Sequence, residues 1–183
     1  MNRLIIGLVG PSGSGKTLAC RHLIERHGFV RIHVAQAVKD ALRYGFHLSD
    51  THVDGSLIEV PLDELGGISC RTVLEQIGAA ISKCAPEATA IDWTRRIKGL
   101  DPSVTRVLAD GIRRPAEAAA VRRHGGAVIR IARSTVANGR DELPMDVNQR
   151  GIDADLTITN DGKPESLYAE MDRVLTYISA VDD

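Results

Sequence analysis

Apolar runs and amphipathic stretches alternate along this chain, and their periods name the elements. Leu4 to Val9 is a six-residue apolar run, short enough to read as a buried strand. From Leu18 to His27 the apolar residues Leu18, Ala19, Leu23 and Ile24 recur at helical spacing, and Gly28 follows as a cap. Phe29 to Val34 alternates into a second strand, and Ala35 to Phe46 returns to a helical period through Val38, Ala41 and Leu42. Val104 to Ala109, Ala127 to Ala132 and Leu156 to Thr159 read as three further strands. Pro115 opens one helix between them and Pro164 opens the last, whose stripe is Leu167, Met171, Val174, Leu175 and Ile178.

The stretch between the second and third strands breaks this rhythm. His47 to Gly67 is polar, rich in Gly and Pro, and without a sustained period, so it reads as a long functional loop. Ser69 is placed to cap a helix through Val73, Leu74, Ile77 and Ile81, and Ala88 to Lys98 reads as a shorter helix ending at Gly99. Strand, loop and helix in repeated order imply an α/β fold with a five-stranded parallel sheet between two helical layers and a helical insertion. In such a sheet ligands gather at the carboxyl ends of the strands.

The turn after the first strand carries the first chemistry. Gly10-Pro11-Ser12-Gly13-Ser14-Gly15-Lys16-Thr17 fits G-x-x-x-x-G-K-[ST] at every fixed position. The glycines let successive N–H groups curl around a phosphate, and the following helix adds its positive end. Lys16 would reach the β- and γ-phosphates and Thr17 would offer its hydroxyl to Mg²⁺, so the loop proposes ATP or GTP with Mg²⁺. The cofactor-binding set is Gly10, Ser12, Gly13, Ser14, Gly15, Lys16 and Thr17.

Asp110 ends the third strand, where an acid can face the metal held by Thr17. It is followed by Gly111 and not by a second acid that would activate water, which favours transfer to a bound acceptor over hydrolysis. No Asn-Lys-x-Asp base-reading element occurs, so a GTPase switch is disfavoured. Transfer between phosphates needs charge neutralisation more than acid–base chemistry. The candidates for that work are Arg113 and Arg114 after Asp110-Gly111, Arg133 at the end of the fourth strand, Arg140 and Arg150 in the loop beyond it, Arg71 in the capped helix, and Lys39. Each taken alone also reads as a solvated surface charge. Glu75 and Gln76 sit beside Arg71 on the same helix, with Gln76 a candidate to reach a ligand.

Composition narrows the partners. A length of 183 residues suits one domain, and a net charge of −1 gives no pull toward nucleic acid polymers or a membrane. The segment from Arg113 to Arg150 is locally basic, with eight Arg and no Lys against four acids. Three unclustered cysteines fit reduced thiols of a cytoplasmic protein, and His33, His47, His52 and His124 lack metal-ligand spacing. Trp93 reads as a packing anchor in preference to a base-stacking platform. A homodimer is left open.

Together these residues resemble the P-loop nucleoside monophosphate kinases, and within them the deoxynucleoside monophosphate kinases of phages and prophages. Beyond the loop, the similar segments are Val34 to Leu42, which contains Lys39, then Glu59 to Leu62 and Leu65 to Gly78. Asp110-Gly111-Ile112-Arg113 with Pro115 and Glu117, Gly125 to Arg133, and Thr159 to Gly162 complete the likeness. The resemblance implies a core of 1–34 and 100–183 that binds ATP, an inserted acceptor-binding lobe at about 35–99, and a lid at about 133–153. It further implies that Lys39, Arg71 and Gln76, with Arg113 and Arg114, hold a deoxynucleoside monophosphate. Lys16, Asp110, Arg113 and Arg133 would act on the reacting phosphates, Thr17 and Asp110 on the metal, and Arg140 on ATP. The chain departs from the family at Gly78-Ala79-Ala80, where Gly-Thr-Glu is common, and at Leu143 to Asp146. These departures keep two other readings in view: a related small-molecule kinase such as a dephospho-coenzyme A kinase, and a nucleotide-binding regulator without catalysis.

Overall fold

A computed structural model describes residues 3–134 and 148–181. Five parallel strands form the central sheet: β1 (Leu4–Val9), β2 (Val30–His33), β5 (Arg106–Asp110), β6 (Ala127–Ala132) and β7 (Leu156–Thr159). Their spatial order is β2-β5-β1-β6-β7. The chain leaves β1 toward β2 on one side and leaves β6 toward β7 on the other. The carboxyl ends of β1 and β6 therefore flank the crevice where connections diverge, and the glycine-rich loop sits there.

Period-two alternation sorts the buried strand residues between two helical layers. Ile5 and Val9 join Val107, Ala109 and Val128 on one face, against α5 (Ala88–Lys98) and α6 (Pro115–Arg123). Ile6 and Leu8 join Leu108, Ile129 and Ile131 on the other, against α1 (Lys16–His27) and the closing helix α7 (Pro164–Val181). The strands are apolar on both faces because both faces are covered.

The insertion has its own small core. Helix α2 (Gln36–Gly45), the short α3 (Asp50–Val53) and α4 (Cys70–Cys84) enclose Leu42, Leu48, Val53 and Cys70, with Ile58, Leu62, Leu65, Val73 and Leu74 packed against them. The stretch read as a loop thus contains α3, a 3₁₀ turn at Asp63–Leu65 and β3 (Pro61–Leu62), which forms a two-residue antiparallel ladder with β4 (Ile68–Ser69) just beyond it. Elements this short show no period, which is why the sequence hid them. Ser69 does cap α4, its side chain accepting from the Thr72 N–H. Helix α5 packs in the main core through Ala90, Trp93 and Ile97. The Trp93 indole N–H donates to the Ile32 carbonyl at 3.3 Å, so this ring is a packing anchor.

Candidate active site

The loop between β1 and α1 takes its shape from three left-handed glycines and from residues far along the chain. Gly10 (φ 144°), Gly13 (φ 75°) and Gly15 (φ 107°) occupy backbone regions that side chains avoid. A Cβ on Gly10 would lie 2.2 Å from the Ile131 carbonyl oxygen, so the loop presses on the end of β6. The Gly10 N–H donates to the Gln149 side-chain oxygen at 2.9 Å, and the Asn160 amide donates to the Ser14 carbonyl at 2.8 Å. Gln149 and Asn160 are both buried, so these bonds fix the loop from beneath. Lys16 folds back over the loop, its ammonium 2.6 Å from the carbonyls of Gly10 and Pro11. The first turn of α1 holds no acid, and no fixed carboxylate there competes with a phosphate for the helix's positive end.

Thr17 is exposed in that first turn, with Ser12 and Gly13 exposed at the tip of the loop. The Ser14 hydroxyl is buried and has no hydrogen-bond partner among the described residues. The Arg133 guanidinium leaves the end of β6 toward the loop and donates to the Gly13 carbonyl at 3.5 Å. Arg140 and most of the segment expected to form a lid lie outside the described residues, as does the side chain of Arg150.

A second charged cluster stands at the carboxyl ends of β2 and β5. The register pairs His33 with Asp110. The Asp110 carboxylate lies 2.7 Å from the Arg31 guanidinium, which also reaches Asp54 at 3.0 Å. Asp54 in turn lies 2.5 Å from the ammonium of Lys39, which is only 4% exposed. Burial alone would raise the Asp110 carboxyl, but His33, Arg31 and Lys39 hold it down at about 2. Burial works against the Arg31 cation as well, and Asp110 with Asp54 more than compensates, so its pKa is raised. Burial, with Lys39 nearby, pushes the His33 imidazole down to about 3. Its Nδ1 accepts the Ala35 N–H at 3.0 Å, as a neutral ring does. The ring lies so close that a Cβ on Gly111 (φ 79°) would be 2.3 Å from its Nε2.

Asp110 also reaches toward the loop helix. Burial raises the thiol of Cys20, and the negative charge of the nearby Asp110 raises it further. Cys20 lies one turn beyond Thr17 on α1, which places the carboxylate beside the helix that begins with Lys16 and Thr17.

The other expected arginines divide. Arg114 is held by Glu117, 2.8 Å away and 2% exposed, and by the Thr89 hydroxyl at 2.9 Å. It anchors the start of α6 to α5, and one terminal nitrogen remains buried and unpartnered among the described residues. The Arg113 backbone N–H donates to the same Glu117 at 2.8 Å. Arg71 extends from the first turn of α4 to Glu59 at 2.9 Å, and Gln76 is exposed on α4. Sequence reasoning missed Arg31, Asp54 and Gln149. Only the register of β2 against β5 brings Arg31 to Asp110, and the fold alone brings Gln149 to Gly10 across 139 positions. Among the described residues no helix is long and apolar enough to cross a membrane, and nothing in them supports a homodimer.

Similar proteins point the same way. No family model matches the chain. A protein of Acanthamoeba polyphaga mimivirus, provisionally named a deoxynucleotide monophosphate kinase, is 29% identical over 195 residues, covering 98% of this chain and 97% of that one. The shikimate kinase of Aquifex aeolicus superposes with a TM-score of 0.56 at 16% identity, over 97% of this chain and 99% of its own. The dephospho-CoA kinase of Campylobacter jejuni gives 0.52 at 15%, over 97% and 98%. The five-stranded parallel sheet, the formed phosphate loop and these likenesses show that the chain has the α/β fold of the P-loop kinases.

Proposed function

We propose that this protein is an ATP- and Mg²⁺-dependent kinase that converts a deoxynucleoside monophosphate to its diphosphate. The observation that carries the reading is the juxtaposition, at the carboxyl edge of the sheet, of a formed phosphate loop and the partly buried Arg31–Asp110–Asp54–Lys39 cluster. The near-full-length likeness to a protein named for this activity supports the choice of acceptor.

In this reading the loop N–H groups and Lys16 hold the β- and γ-phosphates, and Arg133 and Arg140 close over them. An acceptor phosphate oxygen attacks the γ-phosphorus, a new P–O bond forms, the bond to the β–γ bridging oxygen breaks, and ADP leaves. The attacking oxygen is already anionic, so no general base is needed. Thr17 and Asp110 offer a hydroxyl and a carboxylate ionised at neutral pH, hard oxygen donors that suit Mg²⁺, whose bound form would neutralise the phosphates. Arg71, Gln76 and Arg113 would take the acceptor, with Lys39 and Arg114 next to them. Lys39 is paired with Asp54 and Arg114 with Glu117, so an acceptor phosphate would share either cation with a carboxylate or replace it. Arg31 is added to the acceptor side. The acceptor lobe is drawn at 35–87, since α5 packs with the main core.

A panel of dAMP, dGMP, dCMP and dTMP, assayed for ADP release, tests this reading. Turnover with at least one is expected. Turnover with dephospho-coenzyme A or another small acceptor, and with no dNMP, would replace it.

A further inference from the structure

At the end of α1 remote from the phosphate loop, two imidazoles converge on one carboxylate of another helix. His22 and His27 lie five residues apart on α1, and Asp172 lies on α7. The two Nε2 atoms are 2.6 and 2.7 Å from the same Asp172 oxygen. The three ligand atoms all fall within 4.8 Å of one another. Packing orients the rings: His22 stacks on Tyr168 with centroids 4.6 Å apart and planes 7° from parallel, and His27 meets His22 edge-on at 5.2 Å. The His22 and His27 side chains are 10% and 25% exposed and that of Asp172 50%, so the histidines are largely covered while the carboxylate opens to solvent.

Two imidazole nitrogens and one carboxylate oxygen form a donor set for a borderline divalent ion of the zinc class, with a position left for water. Mg²⁺ and Ca²⁺ prefer oxygen-only shells. Around a tetrahedral ion with bonds of about 2.0–2.1 Å, ligand atoms stand about 3.3 Å apart. The observed hydrogen-bonded separations are shorter by about 0.6 Å, a gap that the half-exposed Asp172 side chain would open by rotating away from the rings. We propose that His22, His27 and Asp172 form a binding site for one Zn²⁺-class ion that clamps α1 to α7.

This site is separate from the magnesium position of the proposed kinase. The rise along α1 from Lys16 to His27 is about 16 Å. The clamp still bears on the loop, because α1 begins at the loop and Leu167 of α7 lies 3.3 Å from where a Gly15 Cβ would be. Arg21, Arg26 and Glu25 share a cleft with His22 and Tyr168, and the two arginines oppose a cation there. Affinity in the micromolar range, weaker than that of closed structural zinc sites, is therefore expected.

The test is titration of untagged, nucleotide-free protein with Zn²⁺ by calorimetry and with Co²⁺ by visible absorption. One ion per chain is expected, with no thiolate charge-transfer band and with a melting temperature that rises with Zn²⁺. His27→Gln and Asp172→Asn, checked for folding by circular dichroism, should each weaken binding at least about tenfold and abolish the melting shift. Unchanged affinity in both variants, a thiolate band, or no ion bound at concentrations about 100-fold above the micromolar range would overturn the proposal and leave the triad a hydrogen-bonded clamp alone.

Discussion

Arg31 and Asp110 form an ion pair of 2.7 Å at the carboxyl edge of the sheet, and Arg31 is one of the charges that hold the Asp110 carboxyl down against its burial. With Asp110 held at about 2 and His33 at about 3, the cluster enters the neutral pH range with an anionic carboxylate and an uncharged imidazole. The unfolded chain binds a proton at His33 below its usual 6.5, whereas the folded protein resists until about 3. Stability is therefore present above pH 6.5 and is lost as pH falls toward 3, with Asp110 adding to the loss from 3.8 to about 2. The melting temperature should fall steadily over that window. His33→Asn should flatten the fall, and an equal slope in wild type and variant would show that another group carries it.

Gln149 sets the phosphate loop from beneath. Replacing it by Ala leaves the buried Gly10 N–H without its acceptor, at a cost of about 1–3 kcal/mol in denaturant unfolding. Because that N–H opens the loop, binding of a non-hydrolysable ATP analogue should weaken as well. Loss of stability with unaltered analogue binding would separate the loop's anchor from its function.

Lys39 and Asp54 should behave as a unit. Removing Asp54 alone strands an ammonium that is 4% exposed, and breaking such a pair costs about 3–5 kcal/mol when both partners are fully desolvated. Asp54 is partly open to solvent, so about 2–3 kcal/mol is expected for Asp54→Ala. The double variant Lys39→Met with Asp54→Ala should be destabilised by less than the sum of the two singles, as measured in a double-mutant cycle. Additive effects would mean that the pair is not coupled.

Arg71 is paired, among the described residues, to an exposed glutamate, and its side chain is 37% exposed, so substitution should barely affect folding. Arg71→Ala is expected to raise the acceptor KM by tenfold or more, on the order of 1.4 kcal/mol of lost binding, with ATP affinity nearly unchanged. Weakened ATP binding instead would assign this arginine to the donor.

The sheet, both of its helical layers and the phosphate loop were legible in the sequence because each rests on a local pattern. Ile5, Ile6, Leu8 and Val9 declare a strand covered on both faces, and Gly10 to Thr17 declare the loop. The inserted segment was only half legible. Lys39 and Arg71 stand in recognisable segments, but their partners Asp54 and Glu59 belong to a stretch with no period, ordered by tertiary packing of Leu48, Val53 and Ile58. Asp110 read as a metal ligand from its place at a strand end. That it is shared with Arg31 depends on β2 lying beside β5, which no local pattern encodes. Arg114 follows the same strand end in the sequence, and only the fold reveals Glu117 and Thr89 around it.

The proposed activity is tested most directly by product analysis after incubation with ATP, Mg²⁺ and each deoxynucleoside monophosphate in turn. Transfer predicts a deoxynucleoside diphosphate formed in equal amount to ADP with the preferred acceptor, little inorganic phosphate, and loss of both products in Lys16→Ala. Inorganic phosphate in place of the diphosphate, or ATP binding with no product from any acceptor, would contradict it.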